Sequence, residues 1–167
     1  GSYPANERVV RDGVTYSFDA NGWMKTGWQD EDGAWRYYGP SGAMATGWAA
    51  VGGTWYYLDP ATGVMATGWV QDGDTWYYLR ANGSMATGWV NLGGAWFYLN
   101  GNGSMATGWA NLGGTWYYLT ESGQMAIGWV KDGGSWYFCH PSGAMATGRV
   151  VIGGTAYTFD GSGRWVA

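Results

Sequence analysis

Residues 44–64 read MATGWAAVGGTWYYLDPATGV, and the fold is decided inside this stretch. Gly52 and Gly53 lie between two short runs, 46–51 and 54–58, that are rich in aromatic and β-compatible side chains. A glycine pair in that setting predicts a two-residue hairpin loop, because the primed turns that suit twisted strands need positive φ at their centre. With 52 and 53 as the turn, 51 faces 54, 50 faces 55, 49 faces 56 and 48 faces 57. Side chains alternate along a strand. Trp48, Ala50, Trp55 and Tyr57 therefore share one face, and Val51, Thr54, Tyr56 and Leu58 share the other. Residues 59–63, DPATG, are turn formers that lead into the next hairpin.

The same pattern extends in both directions. A Gly-Trp pair returns at Trp28, Trp48, Trp69, Trp89, Trp109 and Trp129, and Arg149 stands at the next step. Seven residues after each comes a second column: Trp35, Trp55, Trp76, Trp96, Trp116 and Trp136. A methionine precedes each step, at Met24, Met44, Met65, Met85, Met105, Met125 and Met145, with intervals of 20, 21, 20, 20, 20 and 20. The turn slot is filled by Asp32-Gly33, Gly73-Asp74, Gly93-Gly94, Gly113-Gly114, Gly133-Gly134 and Gly153-Gly154 in the other repeats. A fixed period of this length marks a repeat architecture. A lone hairpin with two apolar faces is marginal in water, and stacking each hairpin on its neighbours covers both. The expectation is an all-β solenoid of about eight stacked hairpins.

The ends depart from the pattern. Arg8 and Thr15 occupy the two Trp slots at the start, and Arg149 and Ala156 occupy them at the close. Atypical terminal repeats read as caps. Residues 3–167 are expected to form a single repeat module, with an N-terminal cap at about 7–23, Trp-bearing repeats at about 24–144 and a C-terminal cap at about 145–167. Gly1-Ser2 reads as a cloning remnant.

Composition excludes several functions. Thirty-two Gly, fourteen Trp and thirteen Tyr in 167 residues, with 12% charged residues, describe an ordered aromatic chain and not a disordered one. The net charge is -4 and the eight Lys and Arg are scattered, so no basic stripe exists for nucleic acid. No apolar run approaches the roughly 18 residues of a membrane span. The single Cys139 fills a slot held elsewhere by Leu58, Leu79, Leu99 and Leu119, and reads as a small buried hydrophobe. His140 is the only histidine, so no His-based catalytic triad can be built. The acids fall at turns and connections, without a glycosidase-like pair or a calcium-loop spacing. The expectation is no catalytic residue, no metal and no cofactor, with any enzymatic activity on a part of the parent protein outside this chain.

The aromatic columns carry the remaining signal. The Leu58 slots already supply a core, and two Trp on one hairpin face exceed what packing requires. Clustered aromatic faces serve two chemistries: a cage for a quaternary ammonium cation, or stacking on sugar rings. Sugar sites add polar groups that fix hydroxyls. The repeated slots beside the Trp pair are Ala, Val, Gly and Thr, which favours the cation and leaves the sugar as the second class.

The segment Met-Ala-Thr-Gly-Trp begins at 44, 65, 85 and 105, with variants at 24, 125 and 145, and is followed by Gly-Xaa-Trp-Tyr-Tyr-Leu. This strongly resembles the choline-binding repeats, or cell-wall-binding repeats, of Gram-positive surface proteins, from about residue 7 to 167. The resemblance implies a left-handed superhelix of hairpins. It further implies a secreted protein attached to the cell wall, with sites between consecutive hairpins for choline or phosphocholine of teichoic and lipoteichoic acids. Carried over, the sites are Trp28, Trp35 and Tyr56 with Met44; Trp48, Trp55 and Tyr77 with Met65; and Trp69, Trp76 and Phe97 with Met85. They continue with Trp89, Trp96 and Tyr117 with Met105; Trp109, Trp116 and Tyr137 with Met125; and Trp129, Trp136 and Tyr157 with Met145. Related repeats in glucan-binding enzymes and clostridial toxin tails imply glucan or host glycan as the alternative ligand. The family also implies a weak homodimer through the solenoid ends, near Tyr157, Phe159 and Trp165.

Overall fold

A computed structural model describes residues 4–167, and the cloning-remnant expectation at Gly1-Ser2 lies outside them. The described chain is eight successive antiparallel hairpins with no helix. They are Arg8–Arg11 with Val14–Ser17 (β1, β2), Gly27–Glu31 with Ala34–Tyr38 (β3, β4), Gly47–Val51 with Thr54–Leu58 (β5, β6) and Gly68–Asp72 with Thr75–Leu79 (β7, β8). Then come Gly88–Leu92 with Ala95–Leu99 (β9, β10), Gly108–Leu112 with Thr115–Leu119 (β11, β12), Gly128–Asp132 with Ser135–Cys139 (β13, β14) and Gly148–Ile152 with Thr155–Phe159 (β15, β16). Two compact units divide the array, one ending at Ala86 and the other running Thr87–Ala167. Each holds four hairpins.

The register is the one the turn residues dictate. In β5–β6, Trp48 pairs with Tyr57, Ala50 with Trp55 and Val51 with Thr54. Gly52 and Gly53 have φ of 59° and 80°, as a type I′ turn requires at both central positions. Asp32 adopts the same conformation at 59°, which Asp tolerates better than bulkier residues.

Each connection folds back on the strand before it. After β8, Arg80 N–H donates to Ser84 O, Ala86 N–H donates to Tyr78 O, and Met85 bridges Leu79. After β6, the Asp59 carboxylate accepts the N–H groups of Ala61 and Thr62, which holds its pKa below the usual range. The connection also reaches the preceding hairpin, since Met85 N–H donates to Trp55 O and Met65 N–H to Trp35 O. These bonds set each hairpin on its predecessor within a unit.

In each unit the core is built on the last residue of each second strand, joined by small groups such as Ala86 and Ala146. Tyr38, Leu58, Leu79, Leu99, Leu119 and Cys139 are fully buried, with Phe159 nearly so. Burial pushes the Cys139 thiol up to about 11, which keeps it protonated and unreactive. Its expected role as a small buried hydrophobe therefore holds. Tyr38 fills the same slot in the second hairpin, where burial and then its 2.6 Å hydrogen bond to Glu31 push its hydroxyl up to about 12.

Candidate functional site

The hairpin register sends the two Trp columns to one face, and stacking brings the next hairpin's tyrosine against them. In the first unit, Trp28 meets Tyr56 with centroids 4.8 Å apart, and Trp48 meets Tyr77 at 4.8 Å. In the second unit, Trp89 meets Tyr117 at 5.0 Å, Trp109 meets Tyr137 at 4.8 Å and Trp129 meets Tyr157 at 5.0 Å. A ring of the same hairpin backs each of these tryptophans, as Tyr57 backs Trp48 at 5.0 Å. The geometry is tilted or edge-to-face throughout, the arrangement that ring quadrupoles favour.

The second Trp column stands upright over the first. Trp89 and Trp96 are 6.4 Å apart at 88°, and Trp129 and Trp136 are 6.3 Å apart at 87°. Trp69 and Trp76 form the same pair at 6.4 Å in the first unit, while Phe97 is a buried residue of β10 in the second. The second-column indoles remain between 39% and 47% exposed, which separates them from the fully buried core residues. One of these faces already carries a cation, since Lys131 Nζ lies 5.7 Å from the Trp136 ring centroid.

Trp89, Trp96, Tyr117 and Met125, with Pro141 and Ser142, line one cleft of about 330 Å³. The methionine is a correction. The resemblance had paired this trio with Met105, but the wall belongs to Met125, one repeat further on. The physical reason is the backbone bond between connection and preceding hairpin. Met125 N–H donates to Trp96 O, Met65 to Trp35 O, Met85 to Trp55 O and Met145 to Trp116 O. Met44, placed beside Trp28 and Trp35 on the same reasoning, instead donates to Thr15 O in the first cap.

The shift exposes a residue that the site assignment omitted. Trp165 N–H donates to Trp136 O, so Trp165 stands in the methionine slot of the last junction. Its ring lies 6.2 Å from Trp129 and 6.1 Å from Tyr157. The signal was available, because Trp165 follows Met145 by one 20-residue period.

The first junction is the counter-example. Its cleft of about 340 Å³ has Arg8, Thr15 and Arg36 where later repeats carry two Trp and a Tyr, with Met44 as the wall. The Arg36 side chain is buried and its Nε–H donates to Thr62 O. Arg8 approaches Glu31 at 3.9 Å. Two guanidinium groups repel a cationic ligand, in keeping with a cap. Among the described residues no cluster of His, Cys, Asp or Glu could hold a metal.

Two first-column indoles have a charged partner. Trp48 Nε1–H donates to Asp72 Oδ2 and Trp109 Nε1–H donates to Asp132 Oδ2, each at 3.1 Å.

A family model described as choline-binding repeat matches residues 8–47, 25–68, 45–87, 66–107 and 86–128, and one for a cell wall binding repeat matches 127–145. Among solved structures, CbpJ from Streptococcus pneumoniae is 43% identical with a TM-score of 0.88, over 92% of this chain and 56% of that one. Choline binding protein F from the same organism, in the presence of a peptidoglycan analogue, is 42% identical with a TM-score of 0.83, over 91% of this chain and 55% of that one. The choline-binding domain of CbpL from Streptococcus pneumoniae is 31% identical with a TM-score of 0.65, over 96% of each chain. This chain thus spans little more than half the length of CbpJ and of choline binding protein F. A comparison with curated proteins returns no match.

Proposed function

The chain belongs to the family of choline-binding repeats, and from that premise we propose that it is a non-catalytic cell-wall-binding module. It captures choline groups of teichoic and lipoteichoic acids in aromatic cages between consecutive hairpins, and it does so multivalently, holding a secreted parent protein on the cell wall. The observation that carries this reading is the open cleft of Trp89, Trp96, Tyr117 and Met125. Three ring faces and a thioether offer polarisable walls to a trimethylammonium group, and a cation of that kind has no hydroxyls for the site to satisfy.

The cages so read are Trp28, Trp35, Tyr56 and Met65; Trp48, Trp55, Tyr77 and Met85; Trp89, Trp96, Tyr117 and Met125; and Trp109, Trp116, Tyr137 and Met145. Trp129, Trp136, Tyr157 and Trp165 make the last. Trp69 and Trp76 bring the same two walls in their own hairpin.

A cation over an aromatic face gains roughly 0.5–1 kcal/mol when exposed and about 2 when desolvated. Three faces give on the order of 3–5 kcal/mol, or roughly millimolar affinity. The test is a fluorescence titration of the intact chain with choline, beside glucose and dextran oligomers. The expected result is a saturable change at millimolar choline that shrinks when Trp89 and Trp96 are both replaced by Ala. A response to glucan with silence toward choline assigns the module to carbohydrate instead.

A further inference from the structure

The cages of two Trp, one Tyr and one Met are not equivalent, and a difference among them lies at one position of the neighbouring hairpin. The last residue of the first strand approaches the first-column indole of the preceding repeat. In β7 it is Asp72 and in β13 it is Asp132, whereas β5 has Val51 and β11 has Leu112. Both aspartates accept the indole N–H of the cage behind them, Trp48 and Trp109, at 3.1 Å. Two separate repeats, one in each unit, show the same bond.

We propose that Asp72 and Asp132 are affinity-determining residues that make the Trp48 and Trp109 cages the tighter cation sites among the cages of two Trp, one Tyr and one Met. This rests on the choline-cage reading above. The carboxylate acts in two ways. An N–H donated to an anion pushes electron density into the indole, which deepens the negative face that attracts a cation. The fixed charge also acts directly. A cation within about 6 Å of the ring centroid lies roughly 7 Å from a carboxylate at the ring edge, inside one Debye length at physiological salt. The charge is also felt by the ring that backs Trp48, for Tyr57 has its hydroxyl pKa raised by burial and then by Asp72. Neither aspartate touches the ligand face itself, so the effect is electrostatic and adds no contact.

The expected advantage over the Trp28 and Trp89 cages is about two- to fivefold at low salt, the size of a single partly screened charge in a mostly aqueous medium.

The test follows indole N–H resonances of the intact chain by NMR during titration with choline and, separately, with 3,3-dimethylbutanol, its uncharged isostere. Trp48 and Trp109 are expected to saturate at lower choline concentration than Trp28 and Trp89, but at equal concentrations of the isostere. Asp72→Asn and Asp132→Asn keep an acceptor for the indole and remove the charge. They are expected to bring each cage to the affinity of its apolar-backed neighbours for choline, with no change for the isostere. Leu112→Asp is expected to strengthen choline binding at Trp89. Equal choline affinities at all four indoles overturn the proposal, as does a loss in the Asn variants that is the same for both ligands. Silence of every indole toward choline overturns the choline reading instead.

Discussion

At the scale of single residues, the final junction departs most from its neighbours. Trp165 replaces a methionine and stands 6.2 Å from Trp129 and 6.1 Å from Tyr157. A thioether is polarisable, but an indole presents a larger negative face to a cation. Trp165→Met restores the composition of the other cages. Choline affinity at the Trp129 indole is expected to fall roughly 2- to 30-fold, the equivalent of one cation–π contact. Site-resolved NMR titration checks this, and an unchanged affinity removes Trp165 from the cage. The residue scale is also where sequence reading went furthest astray. The resemblance assigned which rings meet, and the contacts of Trp28 with Tyr56 and Trp48 with Tyr77 agree with it. It paired these trios with the methionines of the connections between their two hairpins. Their partner is chosen by a backbone bond to a hairpin one repeat earlier, which no spacing rule encodes.

At the scale of the repeat element, the connection is as specific as the hairpin. Gly143 has φ of 86°, and a Cβ there would lie 2.3 Å from the Met125 sulfur. The same glycine position therefore turns the chain and makes room for the cage wall of the repeat before it. Gly143→Ala is expected to cost about 1–2 kcal/mol for a left-handed non-glycine residue and to weaken choline binding at the Trp89 cage by displacing Met125. Gly101→Ala is the control, since that position has open space and no left-handed backbone. Urea denaturation and choline titration of the two variants distinguish them. Equal stability would mean that the connection adapts freely.

At the scale of the whole molecule, the proposed weak cages would become a strong attachment only against a polymer. Linked engagement raises apparent affinity by roughly 10² to 10⁴ without new contacts, provided that the linkers span the sites. Intact chain bound to choline-bearing polymer is expected to resist micromolar free choline and to elute at choline concentrations well above the single-cage dissociation constant. Pull-down on choline-derivatised resin with stepwise elution checks it. Release by micromolar choline would contradict a multivalent hold.

The sequence by itself determined the hairpin, its register, the number of repeats and the face that carries the tryptophans. These follow from local rules: positive φ at Gly52-Gly53, alternation along a strand, and the 20-residue period. The burial of Leu58 and Cys139 at equivalent repeat positions was legible for the same reason. Only the tertiary structure decided that Met125 lines the cleft of Trp89, Trp96 and Tyr117, and that Asp72 and Asp132 reach back to indoles 24 and 23 residues away. Those contacts depend on how far each hairpin is displaced and rotated against its predecessor. That displacement is set by side-chain packing and by the bond from each connection to the hairpin behind it, and neither is written in the period.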